Sequence, residues 1–258
     1  NTALHTVSAY AAASGLCRGQ ERTRGKGHEI PAIKALLDTL ALKGCIVTID
    51  AIGCQTEIAR KILDRGGDYL LAVKDNQKDL ADALREFFAD GEPRGFGSLP
   101  VSRFQSLEKA HGRIETRQAM WVTNLSWLDK KLREHWPKLA GLGMIERQRE
   151  INGAVSTERA YYIGSQGIKS AESFAKAARD HWGIENSLHW VLDIAFREDD
   201  CRVRKDHAPH NFAALRKFAL ALLRKDTQFP KRSLRSRRKT AERLPDYRAS
   251  LLGLSSQS

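Results

Sequence analysis

The chain has 258 residues, of which 41% are hydrophobic and 29% are charged, and its formal net charge is +12. This length suits one large domain or two small ones, and the hydrophobic content is sufficient for a buried core. Intrinsic disorder throughout the chain is therefore excluded. No apolar run approaches the ~20 residues of a membrane span, and no basic-then-apolar leader stands at the N-terminus. These features predict a soluble, cytoplasmic protein without a membrane partner.

The four cysteines include no CxxC pair, so a structural zinc site is not expected. Cys45 stands in an apolar run and is predicted to be a small core residue, with all thiols reduced. The positive charge is concentrated in residues 202–248, which have a net charge of +11, whereas the rest of the chain has +1. This distribution predicts a polyanionic partner, most commonly nucleic acid. A solvated basic tail that keeps the protein soluble is the alternative.

The first ninety residues predict a β-hairpin followed by alternating helices and strands. The predicted strands are 4–12, 15–23, 45–49 and 68–73, and the predicted helices are 31–40, 55–63 and 78–89. Strand–helix alternation is typical of a mostly parallel sheet with helices on its faces. The continuous apolar runs 45–49 and 68–73 predict strands that are buried on both faces.

A different pattern begins after Gly91, where turn residues and β-like segments follow one another. We expect a β-rich insertion with strands near 103–109, 114–123, 143–151 and 156–163, interrupted by a helical segment at 128–139. A long, largely buried helix is predicted from 171 to 196, followed by a helix at 211–224 and the basic C-terminal region.

Asp50 comes directly after the apolar run 45–49, at the edge where functional groups gather in parallel sheets. It is a candidate metal-binding carboxylate. The alternative is that Asp50 caps the following helix. Lys74 follows the next predicted strand, where it could contact a phosphate or be an ordinary loop lysine.

The long helix contains a polar stripe at i, i+4 spacing, formed by His181, Glu185, His189 and Asp193. Three interpretations remain open. Glu185 could share Mg²⁺ with Asp50; His181, Glu185 and His189 could form a transition-metal site; or the stripe could be an internally hydrogen-bonded seam.

Four linked motifs resemble insertion-sequence transposases of the DDE type, in the IS-four-like superfamily and the branch related to the element ISAs. The motifs are Cys45–Gln55 (CIVTIDAIGCQ), Gly67–Gln77 (GDYLLAVKDNQ), His111–Arg117 (HGRIETR) and His181–Asp193 (HWGIENSLHWVLD). The resemblance continues through 196–199 and the helix at Asn211. One residue departs from the wider superfamily signature, because His181 stands where an arginine is expected.

The resemblance implies an RNase H-like α/β fold, with a mixed sheet flanked by helices. It makes Asp50 the second catalytic acid and Glu185 the third, with Mg²⁺ or Mn²⁺ as the cofactor and cleavage of DNA followed by strand transfer as the reaction. The first catalytic aspartate is expected on a central strand before the opening hairpin, which Asn1 begins too late to include. We therefore expect a truncated chain that lacks this strand and cannot cleave DNA by itself.

The implied organisation is 1–90 as the first part of the core, 91–169 as the β-rich insertion, 170–200 as the catalytic-glutamate helix and 201–258 as the basic region. The expected partners are element-end DNA and target DNA. The protein is expected to act as a homo-oligomer on DNA and to be associated with the nucleoid. The expected DNA-contacting residues are Lys74, Arg204, Lys205, Arg216, Arg235, Arg237 and Arg238. The alternatives are a non-catalytic DNA-binding remnant and a metal hydrolase that uses the His181/Glu185/His189 stripe.

Overall fold

The computed structural model describes residues 5–25, 27–110 and 113–254, so His111 and Gly112 of the third motif lie outside the described residues. The strands are β1 (Thr6–Ala11), β2 (Leu16–Arg22), β3 (Ile46–Ile49), β4 (Asp68–Val73), β5 (Val101–Ala110), β6 (Arg113–Val122), β7 (Gly141–Ile151) and β8 (Ala154–Gly164). The helices are α1 (Glu29–Thr39), α2 (Thr56–Asp64), α3 (Lys78–Gly91), α4 (Lys130–His135), α5 (Ala171–Ile184), α6 (Trp190–Phe196), α7 (Ala208–Lys225), α8 (Leu234–Arg243) and α9 (Pro245–Leu251).

The chain divides into two compact units. The sheet unit comprises residues 41–181, and the terminal unit comprises residues 1–40 together with 182–258. Among the helices of the described ranges, none is long and apolar enough to cross a membrane.

The sheet unit contains one six-stranded sheet with the order β3-β4-β8-β7-β6-β5. Only β3 and β4 are parallel, and every other neighbouring pair is antiparallel. The predicted α/β architecture with a mixed sheet flanked by helices is confirmed. The expectation of a mostly parallel sheet is wrong, because the four β-rich strands of 91–169 join this same sheet as two antiparallel hairpins.

The two apolar runs of the first ninety residues differ in burial. In β4, Tyr69, Leu70 and Leu71 are buried, as predicted. In β3, however, no residue is fully buried and Ile46 is 39% exposed, while Cys45 just before it is exposed rather than in the core. In this chain β3 lies at the edge of the sheet and pairs with β4 alone.

The core on one face of the sheet forms where α5 packs against β4, β6 and β8. Trp121 and Phe174 lie at its centre, with their ring centroids 5.0 Å apart. Gly143 of β7 permits this packing, because a Cβ atom there would lie 2.7 Å from both rings. Helix α5 is thereby held against the sheet as far as Ala178.

The terminal unit is built on the β1–β2 hairpin, which is antiparallel as predicted and turns through Gly15 with a positive φ of 66°. A cluster of Leu188, Leu192 and Leu220 joins α6 and α7. The Nζ of buried Lys217 donates hydrogen bonds to Ser8 (2.9 Å) and Gln20 (2.6 Å), so α7 is attached to both hairpin strands. Burial lowers the pKa of Lys217.

The basic C-terminal region folds around Asp226, rather than forming a solvated tail. The Asp226 carboxylate accepts hydrogen bonds from the backbone of Gln228 (2.9 Å) and the hydroxyl of buried Tyr247 (2.9 Å). Burial alone would raise its pKa, but these hydrogen bonds outweigh burial and leave the pKa of Asp226 lowered. Residues 202–248 are therefore a folded region and not the solvated tail of the alternative interpretation.

Candidate functional site

Asp50 lies at the end of β3, and its side chain is exposed. Its backbone is extended (φ −67°, ψ 179°) and leads into a 3₁₀ turn, Ala51–Gly53. The carboxylate accepts no capping hydrogen bond from this turn, and α2 begins after Gln55. The interpretation of Asp50 as a helix cap is therefore wrong, and its oxygens are available to an external ligand.

The loop after β4 lies beside this turn, because β3 and β4 are parallel neighbours whose carboxyl ends meet at one edge. Lys74 opens the loop with an exposed side chain. The side chain of Asn76 donates to the carbonyl of Ala51 (2.6 Å), and that of Gln77 donates to the carbonyl of Cys54 (2.9 Å). Both amides stand within the Gly67–Gln77 motif, but nothing in the sequence of that motif indicates that they contact the turn after Asp50.

Lys74 lies near an ion pair of the sheet unit. The pKa of Glu158 on β8 is lowered, first by a hydrogen bond from Arg147 of β7 and further by the positive charges of Arg147, Arg149 and Lys74. Arg149 in turn pairs with Glu115 of β6.

Thr48 connects β3 with α5. Its hydroxyl lies 3.2 Å from Nδ1 of His181. Residues two apart in an extended strand face the same side of a sheet, so the Asp50 side chain projects from the same face as Thr48. His181 thus contacts that face of β3, four residues before Glu185 in the chain.

Glu185 opens a five-residue π-helical segment, Glu185–His189, between α5 and α6. Its carbonyl accepts from the backbone N–H of Trp190, and its side chain is exposed. The guanidinium of Arg224 donates to the carbonyl of Ser187 in this segment and to the carbonyl of Gly15 in the hairpin turn. π-Helical segments inside longer helices occur frequently at functional sites.

This segment changes two expectations about the long helix. The predicted continuous helix 171–196 is divided by a π-helical turn, and it is not largely buried, since Trp190 is 62% exposed and Trp182 is also exposed. The altered helical spacing disrupts a stripe based on i, i+4 spacing. Across the described residues, no three His, Cys, Asp or Glu side chains are arranged to hold a metal ion, so the His181/Glu185/His189 metal site is not formed.

The basic residues of the C-terminal region have different environments. Lys205 and Arg235 are exposed. The guanidinium of Arg237 is directed inward, with hydrogen bonds to the carbonyls of Leu223 (2.9 Å) and Pro230 (2.8 Å).

Three further arginines from the sequence analysis are partly buried. Arg204 donates to the carbonyls of Cys201 (2.7 Å) and Val203 (2.8 Å). Arg216 lies 3.7 Å from Glu198, and Arg238 is half-buried within α8. Lys205 and Arg235 are consequently better placed to contact a ligand in solution than these three or Arg237.

Comparison with known proteins gives a consistent result. Residues 2–222 match the family model described as "Transposase DDE domain". The chain is 40% identical over 225 residues to "Putative transposase YncI" of Escherichia coli O157:H7, covering 86% of this chain and 56% of that protein. It is 38% identical over 254 residues to "H repeat-associated putative transposase YhhI" of Escherichia coli K12, covering 97% of this chain and 66% of that protein. The chain thus spans between about half and two thirds of the length of these curated relatives.

Proposed function

Because this chain belongs to the transposase DDE domain family, we propose that it supplies part of the catalytic centre of a DNA transposase, which cleaves DNA at element ends and transfers the strands into target DNA. The proposal is supported mainly by the environment of Asp50. Its carboxylate is exposed at the end of a sheet strand and accepts no capping hydrogen bond from the turn that follows it. A metal-dependent phosphodiester site requires a carboxylate of this kind.

We assign Asp50 as the second catalytic acid and Glu185 as the third, and Mg²⁺ or Mn²⁺ as the ion they hold. The donor set fits the ion, because Mg²⁺ takes oxygen ligands and is usually bound through one or two carboxylates, with water and substrate phosphates completing the shell. Two carboxylates are therefore sufficient protein ligands for one ion. An ion held by Asp50 and Glu185 would be one of a pair, which together would activate the attacking oxygen and stabilise the departing 3′-oxygen.

The remaining residues bind and orient the DNA in this proposal. Lys74, at the same sheet edge as Asp50, contacts a phosphate near the reacting bond. Exposed basic residues such as Lys205 and Arg235 contact the phosphate backbone, which gives affinity without sequence preference. The protein acts as a homo-oligomer on DNA, so that two element ends are processed together.

The proposal is tested with the full-length protein, because this chain spans only part of its relatives. The protein is incubated with a labelled duplex carrying the element end and Mg²⁺. Asp50→Asn and Glu185→Gln should each lower the cleavage rate by at least about a hundredfold, since each removes charge that stabilises the transition state. DNA binding should remain, as measured by gel shift.

Asp180→Asn is the matched control, because Asp180 is an acid on α5 that pairs with Lys176 rather than with the proposed metal. It should retain cleavage. Full cleavage by Asp50→Asn would contradict the assignment of the acids. Binding without any cleavage by the unsubstituted full-length protein would instead favour the non-catalytic DNA-binding remnant.

A further inference from the structure

Two amide side chains attach the turn after Asp50 to the neighbouring loop. Asn76 donates to the carbonyl of Ala51, directly after Asp50, and Gln77 donates to the carbonyl of Cys54, at the far end of the same turn. We infer that Asn76 and Gln77 are positioning residues, which hold the Asp50 carboxylate where a metal ion binds. This inference rests on the proposed function of Asp50.

The pairing of β3 with β4 explains how the loop can support the turn. β3 is four residues long, and β4 is its parallel partner. The loop after β4 therefore lies beside the turn that follows β3, and the two amides use that loop to restrain the turn.

The two ends of the turn are restrained differently. At the far end, the Cys54 side chain is fully buried, which anchors the chain independently of Gln77. At the near end, Asp50 is exposed. The side chain of Asn76 donates a hydrogen bond of 2.6 Å to the carbonyl of Ala51, the residue that follows Asp50. Asn76 should therefore control the position of Asp50 more strongly than Gln77 does.

The chemistry of the amide group suits this role. A carboxamide N–H₂ group donates to a backbone carbonyl without introducing a charge. A lysine or arginine at position 76 would offer the Asp50 carboxylate a cation and compete with the metal. An aspartate would lose the donor and add negative charge beside Asp50. The neutral donor fixes the backbone while leaving the carboxylate available.

Metal binding is measured on the full-length protein with Fe²⁺, ascorbate and hydrogen peroxide. Ferrous ion bound at a magnesium site generates hydroxyl radicals, which cut the neighbouring backbone, so a fragment ending near residue 50 reports occupancy of the site. We expect this fragment from the unsubstituted protein and its loss in Asp50→Asn. Asn76→Ala should decrease its yield at least fivefold, Asn76→Gln should partly restore it, and Gln77→Ala should decrease it about twofold.

Asn124→Ala is the matched control, because Asn124 is an exposed amide of the same unit whose side chain accepts from the backbone of Ser126 (3.1 Å). It should leave the fragment unchanged. The melting temperature of each variant shows whether it is folded, and Asn76→Gln provides the test if Asn76→Ala is not. In the full-length protein, Asn76→Ala should also raise the Mg²⁺ concentration for half-maximal cleavage at least threefold without changing the Kd for DNA.

The outcomes separate the two proposals. If Asp50→Asn leaves the fragment unchanged, or the unsubstituted protein produces none, the metal site at Asp50 is wrong, and the proposed function fails with it. If Asp50→Asn abolishes the fragment while folded Asn76→Ala behaves like Asn124→Ala, the positioning role is overturned and the assignment of Asp50 stands.

Discussion

Replacing Arg224 with methionine should loosen the π-helical segment that carries Glu185. Arg224 donates from α7 to the carbonyls of Ser187 and Gly15, so one guanidinium connects this segment, the hairpin turn and α7 within the terminal unit. Methionine preserves much of the side-chain volume and the helix propensity. The substitution therefore removes mainly the two hydrogen bonds.

The expected loss follows from these contacts. A hydrogen bond with a charged partner contributes about 1.5–3 kcal/mol, and Arg224 is half-buried, so the lower value applies to each bond. The free energy of unfolding should fall by about 3 kcal/mol. The melting temperature should fall by about 6–12 °C. Arg224→Lys should recover only part of the loss, because an ammonium cannot reproduce the fork of a guanidinium.

The assay combines urea unfolding with native-state hydrogen exchange of residues 185–196, which should lose protection in the variant. Lys239→Met is the control: it removes the same charge from an exposed position of α8 and should change stability by no more than about 0.5 kcal/mol. A change equally small in Arg224→Met, with unaltered exchange at 185–196, would refute the reasoning.

Three further predictions concern stability, thiol reactivity and DNA binding. The pKa of Asp226 is lowered in the folded state, so its stabilisation is present above an unfolded pKa of about 3.9 and is lost as pH falls through the folded value. Asp226→Asn should lower the free energy of unfolding by about 1–3 kcal/mol at pH 7, and by progressively less as pH falls below about 3.9. A cost that is independent of pH in urea unfolding would contradict this. Cys45 is exposed, whereas burial raises the pKa of the Cys54 thiol to about 12. A maleimide should therefore label Cys45 rapidly and Cys54 only after unfolding, as measured by peptide mass spectrometry. Equal labelling rates at the two cysteines would contradict the difference in their burial. In the full-length protein, the double variant Lys205→Ala/Arg235→Ala should weaken binding to all duplexes and decrease the salt slope by about 1–2, whereas an unchanged slope would exclude phosphate contacts at these positions.

The sequence predicts the kinds of elements well, because hydrophobic periodicity depends on local structure. The hairpin, the two apolar strands, the four β-rich strands and the helix at 208–225 are all found in the structure. The burial of a residue is harder to predict from the sequence, because it depends on neighbours that are distant in the chain. The runs 45–49 and 68–73 have similar composition, but only the second forms a strand with partners on both sides.

The same limitation applies to individual charged and polar residues. Arg235 and Arg237 stand two positions apart on one helix, yet Arg235 is exposed and the guanidinium of Arg237 donates to the carbonyls of Leu223 and Pro230. Composition gives both the same charge, and only the packing of α8 distinguishes them. The contacts of Asn76 and Gln77 depend on the parallel pairing of β3 and β4, which no local pattern reveals.

The assignment of Asp50 and Glu185 to one metal-dependent site is tested most directly by locating the ion. The full-length protein is crystallised with element-end DNA and Mn²⁺, and the ion is identified from its anomalous scattering. The account predicts an ion with a carboxylate oxygen of Asp50 and one of Glu185 each within about 2–2.3 Å. An ion bound elsewhere, or the two carboxylates on opposite faces of the sheet, would contradict it.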